Sequence, residues 1–282
     1  MNKSRINSVI FYYSQIVTEN TKRVAENIAI GLRRNNNKCK LVRLTKFDQD
    51  IELLQSFAFD HYDLIGFGVP VYYFHPPYHI KFELKKLPSL KGRKGFLFCT
   101  SGGNPGSTLQ QIKMVLKAKD LHIIDGCDKW KGLDVHQMYA NQPNSNGGVG
   151  WLPSSFGHPT TEELGEARKF GEKLIDKMNS SKRIAEKKFW ARDNPSAKMW
   201  SWEGIQEWFP KFHLNKQKCT KCGICAKICP WDAIKLTPYP EWIKKCDRCY
   251  ICELKCPENA IECDFTDQIE YLENLMRSKK KG

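Results

Sequence analysis

The chain has 282 residues, with 45 Lys plus Arg against 31 Asp plus Glu and a formal net charge of +14. This length suits about one to two domains, and a 41% hydrophobic composition is that of a globular protein, which excludes a disordered chain. No apolar run approaches the roughly 18 residues of a membrane span, and Val9-Ile10-Phe11-Tyr12-Tyr13 is too short for a signal-peptide core, so a cytoplasmic protein with no membrane span is expected.

In chain order, residues 8–13 are short, apolar and β-rich, which predicts a buried strand. A helix is expected over 20–34, with Val24, Ala25, Ile28, Ala29 and Leu32 on one face. Residues 40–44 and 62–68 read as the second and third strands, and 80–87 as a helix stopped by Pro88. A fourth strand follows over 95–100, a helix over 107–117 and a fifth strand over 121–125. Residues 126–157 are less regular, and 141–150 are almost all turn-formers, as in a surface loop. Thr160 caps a last amphipathic helix to Met178, with Glu162 and Glu163 in its first turn. This alternation predicts an α/β domain over 1–180 with a parallel sheet covered on both faces.

Residues 181–214 read as an aromatic, basic connector. The stretch carries Phe189, Trp190, Trp200, Trp202, Trp208, Phe209 and Phe212, together with Lys182, Arg183, Lys187, Lys188 and Arg192. Its rings are expected to pack domains together, and the basic, Trp-rich segment 182–218 is a candidate partner surface. A cysteine module follows over 215–265. Residues 266–282 are read as a short helix (267–276) and a basic tail ending in Lys279, Lys280 and Lys281.

Of the 12 cysteines, Cys39, Cys99 and Cys127 are scattered, while the others crowd between Cys219 and Cys263. A disulfide framework is not expected in a cytoplasmic chain. Cys219-x2-Cys222-x2-Cys225-x3-Cys229-Pro230 recurs as Cys246-x2-Cys249-x2-Cys252-x3-Cys256-Pro257, at a constant offset of 27. Two such runs are the pattern of a bacterial-type ferredoxin with two [4Fe–4S] clusters. Three thiolates two residues apart line a tight loop around three iron corners, and the fourth iron takes the distant Cys of the other run. One cluster then uses Cys219, Cys222, Cys225 and Cys256, and the other Cys246, Cys249, Cys252 and Cys229. Zinc also binds C-x-x-C pairs, but the repeated 2-2-3 spacing followed by Pro suits cubanes better. Cys263 lies outside both runs and reads as a packing residue. Lys218, Lys221, Lys227, Lys244, Lys245, Arg248 and Lys255 crowd these loops and favour a partner protein with an acidic surface. No nucleic-acid motif accompanies the charge.

Between the first strand and helix lie Ser14, Gln15, Thr18, Asn20 and Thr21, hydroxyls and amides where a helix N-terminus can hold a phosphate. Here the chain resembles the flavodoxin family, whose loop runs Ser-x-Thr-Gly-Asn-Thr. Ser14, Thr18, Asn20 and Thr21 are kept, Ile16 and Val17 look inserted, and Glu19 stands in place of the glycine. A carboxylate beside a phosphate is unfavourable. Two further loops share the resemblance: Pro70-Val71-Tyr72-Tyr73-Phe74 after the third strand, and Thr100-Ser101-Gly102-Gly103-Asn104 with Gly106 after the fourth. The resemblance implies FMN at the carboxyl ends of these strands, a sheet of order 2-1-3-4-5, and an aromatic such as Tyr72 stacked on the flavin. No Lys follows Gly106 as a phosphate-loop NTPase requires, and no G-x-G-x-x-G opens the first helix.

Together the halves resemble flavodoxin–ferredoxin fusion proteins of the EFR1 type: a flavodoxin-like domain followed by a small α+β ferredoxin domain. The resemblance implies electron transfer through FMN and two [4Fe–4S] clusters to or from a redox partner enzyme, by a carrier rather than a stand-alone oxidoreductase. Two alternatives stand beside it, a flavin-dependent reductase of a small molecule and a ferredoxin module with a flavin-free docking domain. Other candidates are weaker. Pro76 and Pro77 separate His75 from His79 and disfavour a helical metal pair, Asp134, His136 and Ser154 lack a nucleophile elbow, and Cys99 reads as a buried small residue.

Overall fold

The computed structural model describes residues 5–132, 155, 157–189, 201–244, 246–268, 270, 271 and 274. Asp134, His136, Ser154, Trp190, Arg192, Trp200, Lys245, the loop expected over 141–150, the tail lysines and part of the helix expected over 267–276 lie outside these residues. The chain separates into two compact units, one built from residues 5–132 and 157–189 and the other from residue 201 onward.

The first unit is organised by five strands, β1 (Asn7–Tyr13), β2 (Lys38–Leu44), β3 (Leu64–Pro70), β4 (Lys94–Ser101) and β5 (His122–Lys131). They pair in the order β2-β1-β3-β4-β5, and every pairing is parallel. This is the flavodoxin-like doubly wound order. Strand residues alternate between the two faces. Val9, Phe11, Tyr13, Leu97 and Cys99 enter one core cluster, while Ile10, Tyr12, Phe96 and Phe98 enter the other. Both faces are apolar because both are covered, as a parallel sheet requires.

Helices α1 (Asn20–Leu32) and α5 (Thr161–Met178) contribute to one core, through Val24, Ile28, Leu32, Leu174 and Ile175. Their backbones touch: a Cβ on Gly31 would lie 2.0 Å from the Arg168 carbonyl oxygen, and one on Gly171 2.3 Å from that of Ile28. The start of α5 follows from the sequence, since Thr160 and Glu163 form a full capping box. The opposite core is lined by α2 (Phe47–Ser56), α3 (Tyr78–Leu84) and α4 (Thr108–Lys117), through Leu54, Ile80, Leu84, Ile112 and Leu116. Helix α2 was not expected from the sequence, and β5 runs on to Lys131 through residues expected to be irregular.

The stretch expected as a connector divides between the units. Residues 184–189 lie along the outer edge of β5: Lys187 N–H donates to the Ile123 carbonyl at 2.8 Å, and His122 Nε2 donates to that of Ile184 at 3.1 Å. Covering an edge strand in this way removes a free template for pairing. Lys187, read as a partner-facing cation, lies 3.7 Å from the buried Asp125, which Lys177 also meets at 2.5 Å. Burial pushes the Asp125 carboxyl up, but Lys177 and the Gly126 N–H outweigh it and hold it below its usual value.

The second unit is smaller. It contains α6 (Trp202–Trp208), α7 (Ile224–Ile228), α8 (Ile251–Leu254) and two antiparallel ribbons. One pairs β6 (His213–Leu214) with β9 (Ile261–Glu262), and the other pairs β7 (Ile234–Leu236) with β8 (Pro240–Trp242). Residues 202–212 belong here: Gln206 Nε2 donates to the Cys246 carbonyl, and the Tyr250 hydroxyl to that of Pro210. Among the described residues no helix is long and apolar enough to cross a membrane.

Candidate functional site

The repeat in the sequence is also a repeat in backbone geometry. Lys221 and Gly223 have φ of 61° and 75°, and their counterparts 27 positions on, Arg248 and Tyr250, have 51° and 54°. These left-handed residues alternate with the cysteines of each run. Each reverses the chain locally, so successive thiols and N–H groups turn toward one centre, the nest arrangement common at anion and iron–sulfur sites. The fourth cysteines are held alike: Ala233 N–H donates to Cys229 Sγ, and Ala260 N–H to Cys256 Sγ, both at 3.3 Å.

Two hollows result. The first, about 360 Å³ including its open mouth, is lined by Cys219, Cys222, Cys225 and Cys256, with Lys221, Ile224, Leu236 and Glu258 among its other residues. The second, about 330 Å³, is lined by Cys229, Cys246, Cys249 and Cys252, under Phe212, Trp231, Trp242 and Tyr250. The fourth cysteine of each run lines the hollow of the other run's first three. Cys263 lines neither. Burial pushes the Cys246 thiol up to about 12 and those of Cys249 and Cys252 well above the usual range. A bare thiolate is thus disfavoured there, and iron would supply the positive charge that keeps the sulfurs deprotonated. Among the described residues, no three His, Cys, Asp or Glu groups converge tightly enough for a single metal ion. The donor set and the enclosed space fit an all-thiolate cubane.

The aromatic roof of the second hollow was not singled out from the sequence. Phe212 and Trp242 stack at 4.7 Å with an 8° interplanar angle, and Phe212 meets Tyr250 at 5.2 Å. The repeat carries one clue, since Tyr250 falls where Gly223 stands in the first copy.

In the first unit, the candidate flavin residues gather at the carboxyl ends of β1, β3 and β4. The Thr21 and Thr100 hydroxyls share a hydrogen bond of 2.8 Å, and Val71 N–H donates to the Thr100 carbonyl at 2.9 Å. Ser14, Gln15, Asn20, Thr21, Thr100 and Ser101 are buried, Thr18 is half-buried, and Gly103 and Asn104 are exposed. Tyr72 and His75 exchange two backbone hydrogen bonds of 2.8 Å, closing a turn through Tyr73 and Phe74 at φ of 51° and 66°. Bulky residues at such angles are strained, a feature concentrated at functional sites. The turn is braced by the next loop, because Ser107 N–H donates to the Phe74 carbonyl at 3.1 Å. Cys99 is wholly buried in the sheet core.

Glu19 takes the left-handed conformation a glycine adopts freely, with φ 52° and ψ 28°. Its carboxylate meets Lys22 Nζ and Arg43 Nη1, each at 2.6 Å. Lys22, then Arg43, hold its pKa low against the upward push of burial. The first turn of α1 carries no acidic residue. The mouth of α1 is therefore compatible with a phosphate. Gln15 Oε1 is a buried acceptor with no donor among the described residues, which a ribityl hydroxyl of FMN can satisfy. One feature opposes a phosphate, since Ser14 Oγ already accepts the Lys22 N–H at 3.2 Å.

No curated protein sequence matches the chain. Among solved structures, similarity extends to an archaeal flavodoxin (16% identity, 62% of this chain and 100% of that one, TM-score 0.39). It also extends to flavodoxin 2 from Bacillus cereus (14% identity, 60% and 99%, TM-score 0.42) and to a flavone reductase (11% identity, 64% and 66%, TM-score 0.45). These cover one half of the chain, and the flavodoxin-like topology stands on the strand pairing itself. In the other half, residues 212–235 match the family described as a 4Fe–4S binding domain, so the chain carries a [4Fe–4S]-binding segment that includes its first cysteine run.

Proposed function

We propose that the protein is an electron carrier that moves low-potential electrons between FMN in the first unit, two [4Fe–4S] clusters in the second, and a redox partner protein. The reading rests on one observation above all, the two hollows, each lined by four cysteines with the fourth contributed across the repeat. FMN exchanges one or two electrons and a [4Fe–4S] cluster exchanges one, so the pair converts between two-electron and one-electron chemistry. Ser14, Thr18, Asn20 and Thr21 would hold the phosphate at the start of α1. Pro70 to Phe74, and Thr100 to Gly106, would flank the ring. Anaerobic purification followed by iron, sulfide and flavin analysis should return about eight irons and one FMN per chain. About four irons, or zinc in their place, would overturn the two-cluster reading.

A second reading, a flavin-free first unit that serves only as a dock, is favoured by Ser14 Oγ holding a helix N–H and by Lys22 and Arg43 both being engaged with Glu19. Stoichiometric FMN in the purified protein eliminates it. The variant Glu19→Gly separates the readings further. The lost ion pairs are about one-third exposed and screened by solvent, so they contribute little, and glycine relieves a left-handed residue, so stability should hardly change. Freeing two cations beside the helix mouth and removing a carboxylate should tighten FMN by about tenfold in a fluorescence titration. An unchanged affinity would show that Glu19 does not touch the phosphate site.

A further inference from the structure

We infer that the mouth of the first hollow is the docking face for a small, acidic, one-electron carrier protein, and that electrons enter or leave the second unit there. The inference rests on the reading of that hollow as a cluster site. The two hollows share a backbone plan but differ in access. Thr220, Lys221, Cys222, Ile224, Leu236, Pro257 and Glu258 around the first are all exposed. Among the described residues none that lines the second is exposed, and four aromatic rings roof it. Electron transfer weakens steeply with distance, so exchange with a partner takes place at the hollow whose ligand Cys222 meets solvent.

The chemistry of the mouth selects the partner. Lys221 and Lys216 both lie over the Tyr239 ring, at 4.7 and 5.5 Å, which holds two exposed cations side by side at the rim. Lys218 is matched by Glu262 at 2.9 Å and adds no net charge. Among the described residues Glu258 is the one carboxylate in the lining. Ile224 and Leu236, at 36% and 41% exposure, supply apolar contact beside the cysteines. An apolar centre with a cationic rim suits a partner whose redox centre is ringed by carboxylates. One electron leaves this protein and one enters the partner's centre, with no bond made or broken. Of the cations in residues 182–218, the stretch expected from the sequence to face a partner, Lys187 lies 3.7 Å from Asp125.

Rubredoxin, a small acidic one-electron protein, is a suitable probe: its iron form reports rate, and its redox-inert zinc form reports binding. The holoprotein, reduced without oxygen, should transfer electrons to it quickly at low salt. Lys216→Glu/Lys221→Glu should slow transfer and weaken zinc-rubredoxin binding by about tenfold, with the difference shrinking as salt shortens the screening length. If Lys221→Glu costs iron, Lys216→Glu alone carries the test, since it lies outside the cysteine run. A charge-reversed protein with full iron and unchanged rate and binding overturns the docking face. A wild-type protein without iron overturns the cluster reading instead.

Discussion

Replacing Cys256 with Ala is expected to empty the first hollow, although Cys256 belongs to the second run. Iron should fall from about eight toward four per chain, and the surviving cluster should be the one under Phe212, Trp231, Trp242 and Tyr250. That cluster should react slowly with a bulky iron chelator. Cys229→Ala should do the reverse, leaving the cluster beside exposed Cys222, which the chelator should strip quickly. If each run held its own cluster, the order of the two rates would invert. Iron analysis with chelation kinetics on both variants therefore tests the crossing directly.

Gly106→Ala is expected to damage the first unit and spare the second. Gly106 has φ of +55°, and a Cβ there would lie 2.2 Å from the Phe74 carbonyl oxygen. That oxygen accepts the Ser107 N–H that ties the two candidate flavin loops together. A left-handed alanine costs about 1–2 kcal/mol, and relieving a backbone clash adds a similar amount, so a loss of about 3 kcal/mol is expected in thermal or urea unfolding of the first unit. Flavin binding should weaken with it, while iron content stays at the wild-type value. Unchanged unfolding would mean that the loops separate without cost.

Most strands and helices were legible because their signals are local. Residues 8–13 are apolar throughout, and only a strand covered on both faces uses such a run. Thr160 and Glu163 announce α5 within four residues. Helix α2 was missed: it has no side-chain cap, and only Asp50 and Leu54 along it are buried, so its apolar stripe is too thin to register. The extension of β5 was missed because Gly126, Asp128 and Lys129 are poor strand formers. Tertiary contacts hold them there: Trp130 of the same stretch is buried in the core, and Lys129 pairs with Glu166 of α5 at 2.8 Å.

The candidate site divides in the same way. By itself the sequence singled out eight cysteines as candidate ligands, their crossed assignment as an expectation and the loop around Ser14 to Thr21 as a candidate phosphate site, because covalent spacing and a repeated motif restrict what a short segment can hold. Only the tertiary structure decided that one hollow opens to solvent while the other is roofed by aromatic rings. It also decided that Glu19 is neutralised by Arg43, 24 residues away on β2, and that Lys187 lies 3.7 Å from Asp125. Those outcomes depend on which distant groups the folded chain brings within a few ångströms, and long-range packing of that kind leaves no period or motif in the residues themselves.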